Sequence, residues 1–126
     1  MTDTTTKKIL LVDDSVTTLL MARMILEASP HLHLVTAENG EEAVSAALRE
    51  RPDLILMDVV MPRMNGLQAC RAIRSSDEIK EIPVILVTPR GEEGLYGYDS
   101  GCTAYITKPF NSAELMALVK AHLGEA

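Results

Sequence analysis

Four candidate strands of this sequence each end in a side chain that can bind a metal ion or a phosphate group. Asp13 and Asp14 follow the first of these strands, Asp58 the next, then Thr88 and finally Lys108. Carboxylates are ligands that Mg2+ prefers, and ammonium and hydroxyl groups bind phosphate oxygens. If the fold brings these positions together, their residue types point to phosphoryl chemistry at a carboxylate.

The charges in such a cluster require a cation. Carboxylates about 4 Å apart repel one another by several kcal/mol at an effective dielectric near 20. Two or three carboxylates and one backbone carbonyl suit Mg2+, and the carbonyl that we expect to contribute is that of Val60. In that arrangement Mg2+ and Lys108 would offset charge on the phosphoryl oxygens while Asp58 attacks in line. The Thr88 hydroxyl could then bond to the product phosphate.

The elements that must position these residues alternate along the chain. Continuous apolar runs at 9–12, 54–57 and 84–87 indicate strands of a parallel sheet that is covered on both faces, and 32–37 and 103–107 are weaker strand candidates. Apolar residues at helical spacing indicate helices at 15–28, 40–50, 67–75 and 112–123, and in the third of these the spacing places Arg71 and Arg74 outward.

This alternation predicts an α/β fold with a doubly wound, five-stranded parallel sheet, a flavodoxin-like (βα)5 arrangement. Short connections and the absence of a linker predict one domain over residues 1–126. Ligands in such folds bind at the carboxyl ends of the strands. The sequence therefore predicts that the acidic, hydroxyl and lysine positions share one edge of the sheet.

Composition excludes several classes of function. The net charge of -6, from 18 acidic and 12 basic residues, argues against nucleic-acid binding by this chain and against an anionic membrane surface. No apolar run is long enough for a signal peptide or a membrane span. Cys70 and Cys102 lack the spacing of a metal site, and we expect two buried apolar residues in a cytoplasmic protein.

Several segments resemble the receiver domain of two-component response regulators, and the resemblance covers essentially the whole chain. They are LLVDDS at 10–15, MDVVMPRMNG at 57–66, Thr88, and TKPF at 107–110. The resemblance implies that Asp58 is the phosphoacceptor and that Asp13 and Asp14 form an acidic pocket for Mg2+. It also implies that Thr88 follows the phosphoryl group and that Lys108 is its ion-pair partner.

The same resemblance implies a function. A receiver of this kind is a signalling switch that a histidine kinase phosphorylates and that passes its state to a downstream protein. It is not an enzyme beyond promoting its own phosphorylation and dephosphorylation. Tyr105 occupies the position of the aromatic residue that changes its exposure on activation in this family.

Three features depart from the family pattern. Thr88 precedes Pro89 where a small residue is usual, and proline removes a backbone donor and restricts the residue before it. The interval from Thr88 to Lys108 is short and contains four glycines, each of which costs about 1 kcal/mol within a helix. We therefore expect the helix between the last two strands to be short, frayed or absent. Val60 has no polar side chain to orient an attacking water, which predicts slow self-dephosphorylation.

Two other functions compete with the switch. One is an interaction module that has lost phosphorylation; Pro89 and the glycines favour it, while the intact acidic pair, Asp58 and Lys108 oppose it. The other is a nucleotide-binding protein or a phosphate hydrolase. The segment after the first strand is not a glycine-rich phosphate loop, and no residues remain to build a substrate-covering cap.

Overall fold

The computed structural model describes residues 6–89, 101–108 and 110–123. Strands and helices alternate from residue 7 to residue 89 as the sequence predicts, and a fifth strand and a last helix follow among the described residues. Their bounds are β1 Lys7–Val12, α1 Val16–Leu26, β2 Leu32–Ala37, α2 Gly40–Glu50, β3 Leu54–Asp58, α3 Gly66–Arg74, β4 Val84–Pro89, β5 Ala104–Lys108 and α4 Ser112–Leu123. The helix that we expected to be weak falls on residues 90–100, which lie outside the described residues, as does Pro109.

The five strands form one parallel sheet in the order β2-β1-β3-β4-β5. This order confirms the predicted doubly wound fold. The register sets Val12 beside Met57, Asp58 beside Val87, and Thr88 beside Thr107. The carboxyl ends of β1, β3, β4 and β5 therefore meet at one edge of the sheet, which is where this class of fold binds its ligands.

Apolar side chains cover both faces of the sheet and form two core clusters. Helices α2 and α3 pack on one face, and α1 and α4 pack on the other. All five residues of β3 are buried, and the first four are the continuous apolar run that a strand covered on both faces requires. Cys70 and Cys102 are both buried in the cluster beneath α2 and α3, as expected of small apolar side chains.

Polar side chains cap the helices that start at the ligand-binding edge. Ser15 accepts a hydrogen bond from the Thr18 N–H at the start of α1, and Asn39 accepts one from the Glu42 N–H at the start of α2. Asn65 and Gln68 form a reciprocal capping box on α3. These caps fix the point at which each loop becomes a helix, and so they limit how far the loops at this edge can move.

Helix α1 departs from the pattern that its sequence suggests. Its apolar spacing predicted a buried stripe, but Val16, Leu20 and Met24 are 68%, 54% and 74% exposed. Only Ala22 and Leu26 of this helix are fully buried. Nearly every turn of α1 carries apolar residues on more than one side, so spacing alone does not indicate which side faces the sheet.

No helix within the described residues combines the length and the apolar character that crossing a membrane requires.

Candidate functional site

Three carboxylates meet where β1 and β3 end. One oxygen from each of Asp13, Asp14 and Asp58 lies within 4.8 Å of the other two. Asp13 and Asp58 are each only 4% exposed, whereas Asp14 faces solvent. The Ser15 N–H donates to Asp13 Oδ1 over 2.8 Å, so the first turn of α1 holds that carboxylate in place. The structure thus brings together the three acidic residues that the sequence singled out.

Lys108, the last residue of β5, reaches across the edge of the sheet to this cluster. Its Nζ lies 3.1 Å from Asp13 Oδ2 and 3.2 Å from Asp58 Oδ2. One ammonium group therefore bridges the two buried carboxylates. Among the described residues, a single positive charge faces three carboxylates, which leaves an excess of negative charge, so the cluster favours a further cation.

The electrostatic environment shifts the pKa of two of these groups. Burial and the neighbouring charge of Asp13 raise the pKa of Asp58, although Lys108 and the Val60 N–H act in the opposite direction. Partial burial alone would lower the pKa of Lys108, but the charges and hydrogen bonds of Asp58 and Asp13 outweigh it and raise that pKa. The lysine therefore stays charged, while ionised Asp58 is held at a cost in free energy.

Thr88 contributes a hydroxyl group that is buried at the same edge of the sheet. The residue is 0% exposed, and its Oγ1 has no hydrogen-bond partner among the described residues. It lies one residue beyond Val87, which pairs with Asp58 in the sheet. A buried hydroxyl left without a hydrogen bond costs about 1–3 kcal/mol. Such a group at the ligand-binding edge marks a position where an acceptor atom from a bound group belongs.

The loop between β3 and α3 folds back on itself beside Asp58. The Gly66 N–H donates to the Val59 carbonyl over 2.9 Å, and a Cβ atom on Gly66 would lie 2.4 Å from the Asp58 carbonyl oxygen. Only glycine allows the backbone to approach this closely. Within the loop the Val60 side chain is 57% exposed, and the Val60 N–H donates to Asp58 Oδ1 over 3.4 Å.

The support of this loop by α2 is a feature that the sequence reasoning missed. The Gly40 N–H donates to the Met64 carbonyl over 2.9 Å, and Arg63 Nε lies 3.2 Å from Glu41 Oε1. The Asn-Gly pair at 39–40 is the available sequence signal, since it indicates a helix start with a special backbone requirement. Its partner in the loop is far away in sequence, so local patterns do not reveal it.

Tyr105 lies within β5 instead of at its end. Its side chain is half-buried against the core cluster that α2 and α3 cover, and its backbone pairs with Leu86 of β4. It therefore sits on the strand that carries Lys108, three positions before it.

Comparisons with known proteins identify the family. The model of the response regulator receiver domain matches residues 9–120. The chain is 40% identical over 118 residues to the protein PilH of Pseudomonas aeruginosa, covering 92% of this chain and 97% of PilH. It is 41% identical over 128 residues to the transcriptional regulatory protein ResD of Bacillus subtilis, covering all of this chain and 52% of ResD. It thus spans nearly all of one relative and about half of the other.

A solved structure agrees with this assignment. The receiver domain of the sensor histidine kinase PA1611 from Pseudomonas aeruginosa, determined with magnesium coordinated in its active-site cleft, matches with a TM-score of 0.86 and 30% identity. The match covers 94% of this chain and 98% of that one. With the family model matching most of the sequence, the chain belongs to the response regulator receiver domain family of two-component signalling.

Proposed function

We propose that this receiver domain is a phosphorylation-controlled switch in which Asp58 accepts a phosphoryl group from a histidine kinase. One observation carries the proposal: the Lys108 ammonium bridges the buried carboxylates of Asp13 and Asp58 at 3.1 and 3.2 Å. A structural salt bridge would need one carboxylate for one lysine. A second buried carboxylate beside this pair lowers the stability of the fold, so stability does not explain its presence. Binding of a cation by the site does explain it.

The proposed cofactor is Mg2+, held by Asp13, Asp14, Asp58 and the backbone carbonyl of Val60. The donors fit this ion because all are oxygen atoms, and the carboxylate oxygens lie within 4.8 Å of one another. The exposure of Asp14 leaves room for the water molecules that Mg2+ retains. The PA1611 receiver, which shares this fold, holds magnesium in its active-site cleft. When bound, the ion would stabilise negative charge on the phosphoryl oxygens.

The side chains of this chain have separate roles in the proposed transfer. A carboxylate oxygen of Asp58 forms a bond to phosphorus while the phosphorus–nitrogen bond of the phosphohistidine breaks, and the released imidazole takes a proton from solvent. Lys108 offsets charge on the phosphoryl oxygens as they approach. The Thr88 hydroxyl, which has no hydrogen-bond partner among the described residues, then donates to a phosphate oxygen.

Phosphorylation would reach the rest of the domain through β4 and β5. Thr88 and Lys108 end these two neighbouring strands, and Tyr105 lies within the second. A phosphate that draws Thr88 and Lys108 toward it changes the packing of the strand that carries Tyr105. We propose that a downstream protein binds according to this change. We also propose that residues 1–126 make up one such domain and that it acts on no substrate besides itself. We propose that the switch operates in the cytoplasm, where cysteines such as the buried Cys70 and Cys102 stay reduced.

Phosphorylation by a small donor tests the proposal without knowledge of the kinase. The protein is incubated with acetyl phosphate and Mg2+ and then weighed intact by mass spectrometry. We expect a mass gain of one phosphoryl group that disappears in Asp58→Ala and in excess chelator. Asp77→Ala is the matched control, because the Asp77 side chain is 95% exposed and lies outside the acidic cluster. No mass gain in the wild type would favour an interaction module that works without phosphorylation.

A further inference from the structure

The first residue of α2 lies unusually close to the loop that surrounds the phosphoacceptor. A Cβ atom on Gly40 would lie 2.2 Å from the Met64 carbonyl oxygen and 2.8 Å from the Met64 Cβ. The nearest of these atoms belongs to the backbone, so no side chain can turn aside to make room. The close approach of the loop therefore requires glycine at this position, whereas the first turn of a helix would accept most residues.

The same contact satisfies a helix end. Gly40 follows the N-cap Asn39, so its N–H is among the first donors of α2, which have no acceptor within the helix. The Met64 carbonyl accepts this hydrogen bond over 2.9 Å. A carbonyl oxygen also carries partial negative charge, which the positive end of the helix dipole attracts. Helix α2 and the loop therefore stabilise each other at this point.

The loop is fixed at two further positions. At its base, the Gly66 N–H donates to the Val59 carbonyl. At its outer side, Arg63 has a positive φ of 69° and pairs with Glu41 in the first turn of α2. A non-glycine residue in this backbone region is strained and persists only where its surroundings hold it. Residues of α2 thus hold the conformation of the loop between Val59 and Gly66, which includes Val60.

We propose that Gly40 is a positioning residue for the metal site, because its contact with Met64 fixes the loop that carries the Val60 carbonyl. This inference rests on the proposed function, in which that carbonyl is a ligand of Mg2+. Asp58 ends β3 and Asp13 directly follows β1, whereas the Val60 carbonyl comes from a loop. Its direction therefore depends on what the loop packs against, and a Cβ atom on Gly40 would displace the Met64 carbonyl and with it the loop.

Gly40→Ala tests the inference in a Mg2+ titration followed by amide NMR spectra. We expect the amide signals of residues 59–66 to shift even without Mg2+, and the affinity for Mg2+ to fall about tenfold, as is typical when a group that orients a metal ligand is lost. Gly101→Ala is the matched control. Gly101 has φ +89°, and a Cβ there would lie 2.8 Å from Arg74 Cγ at the opposite edge of the sheet, so this variant is strained but should bind Mg2+ as the wild type does.

The outcomes separate this inference from the proposed function. A wild type that does not bind Mg2+ would overturn both. A wild type that binds while Gly40→Ala binds equally well, or binds less well with no shift of the loop signals, would overturn the inference alone. Equal losses in Gly40→Ala and Gly101→Ala would also overturn it, since they would reflect general destabilisation.

A measurement on the wild type covers the case in which Gly40→Ala does not fold. Coupling between two sites is reciprocal, so if Gly40 orients the metal site, then Mg2+ must stabilise the contact of Gly40 with Met64. We expect saturating Mg2+ to slow hydrogen exchange of the Gly40 amide more than that of the Thr103 amide, which is bonded to the Val84 carbonyl at the other edge of the sheet. Equal slowing of the two amides would contradict the proposal.

Discussion

Replacement of Lys108 by methionine removes the charge that balances two buried carboxylates and keeps a side chain of similar length. Lys108 Nζ lies 3.1 Å from Asp13 Oδ2 and 3.2 Å from Asp58 Oδ2, and its side chain is 30% exposed. After the substitution, both carboxylates stay buried with no cationic partner among the described residues. We expect Lys108→Met to destabilise the metal-free protein strongly, and Mg2+ to recover part of that loss.

The size of the loss follows from the geometry. Each attraction is worth about 5 kcal/mol at an effective dielectric near 20, and the cost of removing water from the charges opposes it. Removing one partner of a buried ion pair typically costs about 3–5 kcal/mol. Because solvent still reaches Lys108, we place the loss at the lower end, about 3 kcal/mol. Domains of this kind are stable by about 5–15 kcal/mol, so the variant should remain folded.

Urea denaturation at pH 7, in chelator and in saturating Mg2+, measures this effect. Lys80→Met is the matched control, because Lys80 Nζ pairs with Asp77 at 3.3 Å through side chains that are 48% and 95% exposed. An exposed pair of this kind is worth less than about 1 kcal/mol. The reasoning is refuted if Lys108→Met loses no more stability than Lys80→Met in chelator, or if Mg2+ stabilises Lys108→Met no more than it stabilises the wild type.

Three other outcomes follow from the site. Because the fold raises the pKa of Asp58, ionised Asp58 destabilises the folded protein at pH 7, and metal-free Asp58→Asn should be more stable than wild type. In urea melts this advantage should shrink as the pH falls toward 3.8, the ordinary pKa of an aspartate. Asp14 is exposed, so Asp14→Asn should change stability in chelator only slightly but should reduce the stabilisation by added Mg2+; equal Mg2+ stabilisation of variant and wild type would contradict its role as a ligand. Since the exposed Val60 side chain has no polar group, the phosphorylated protein should lose its phosphoryl group slowly when followed by intact mass, and a half-life of a few seconds would count against this view.

The sequence was sufficient to predict the sheet and the edge at which the acidic residues and Lys108 meet. Continuous apolar runs occur where strands are buried on both faces, and parallel strands necessarily bring their carboxyl ends together. The bounds of β2 and α2 agree with the prediction at every residue. Asp13 and Asp58 could be placed side by side from this logic alone, because each directly follows or ends a central strand.

Contacts between distant segments could not be predicted in this way. Spacing in α3 placed Arg74 outward, but its guanidinium folds back and donates to the carbonyls of Gly101 and Ile82. Likewise, the apolar residues of α1 do not reveal that Val16 is exposed. The contact of Gly40 with Met64 depends on how a helix and a loop meet in space. The local sequence pattern does not indicate which distant segments contact each other. A glycine at the start of a helix indicates only that another part of the chain packs closely against it.

The most direct test of the account identifies the residue that carries the phosphoryl group. Wild-type protein treated with acetyl phosphate, in Mg2+ and in chelator, is digested and its peptides are sequenced by tandem mass spectrometry. We expect the group to be on Asp58, its amount to fall sharply in chelator, and Lys108→Met to reduce it. A phosphoryl group on another residue, or equal labelling of Asp58 with and without Mg2+, would contradict this expectation.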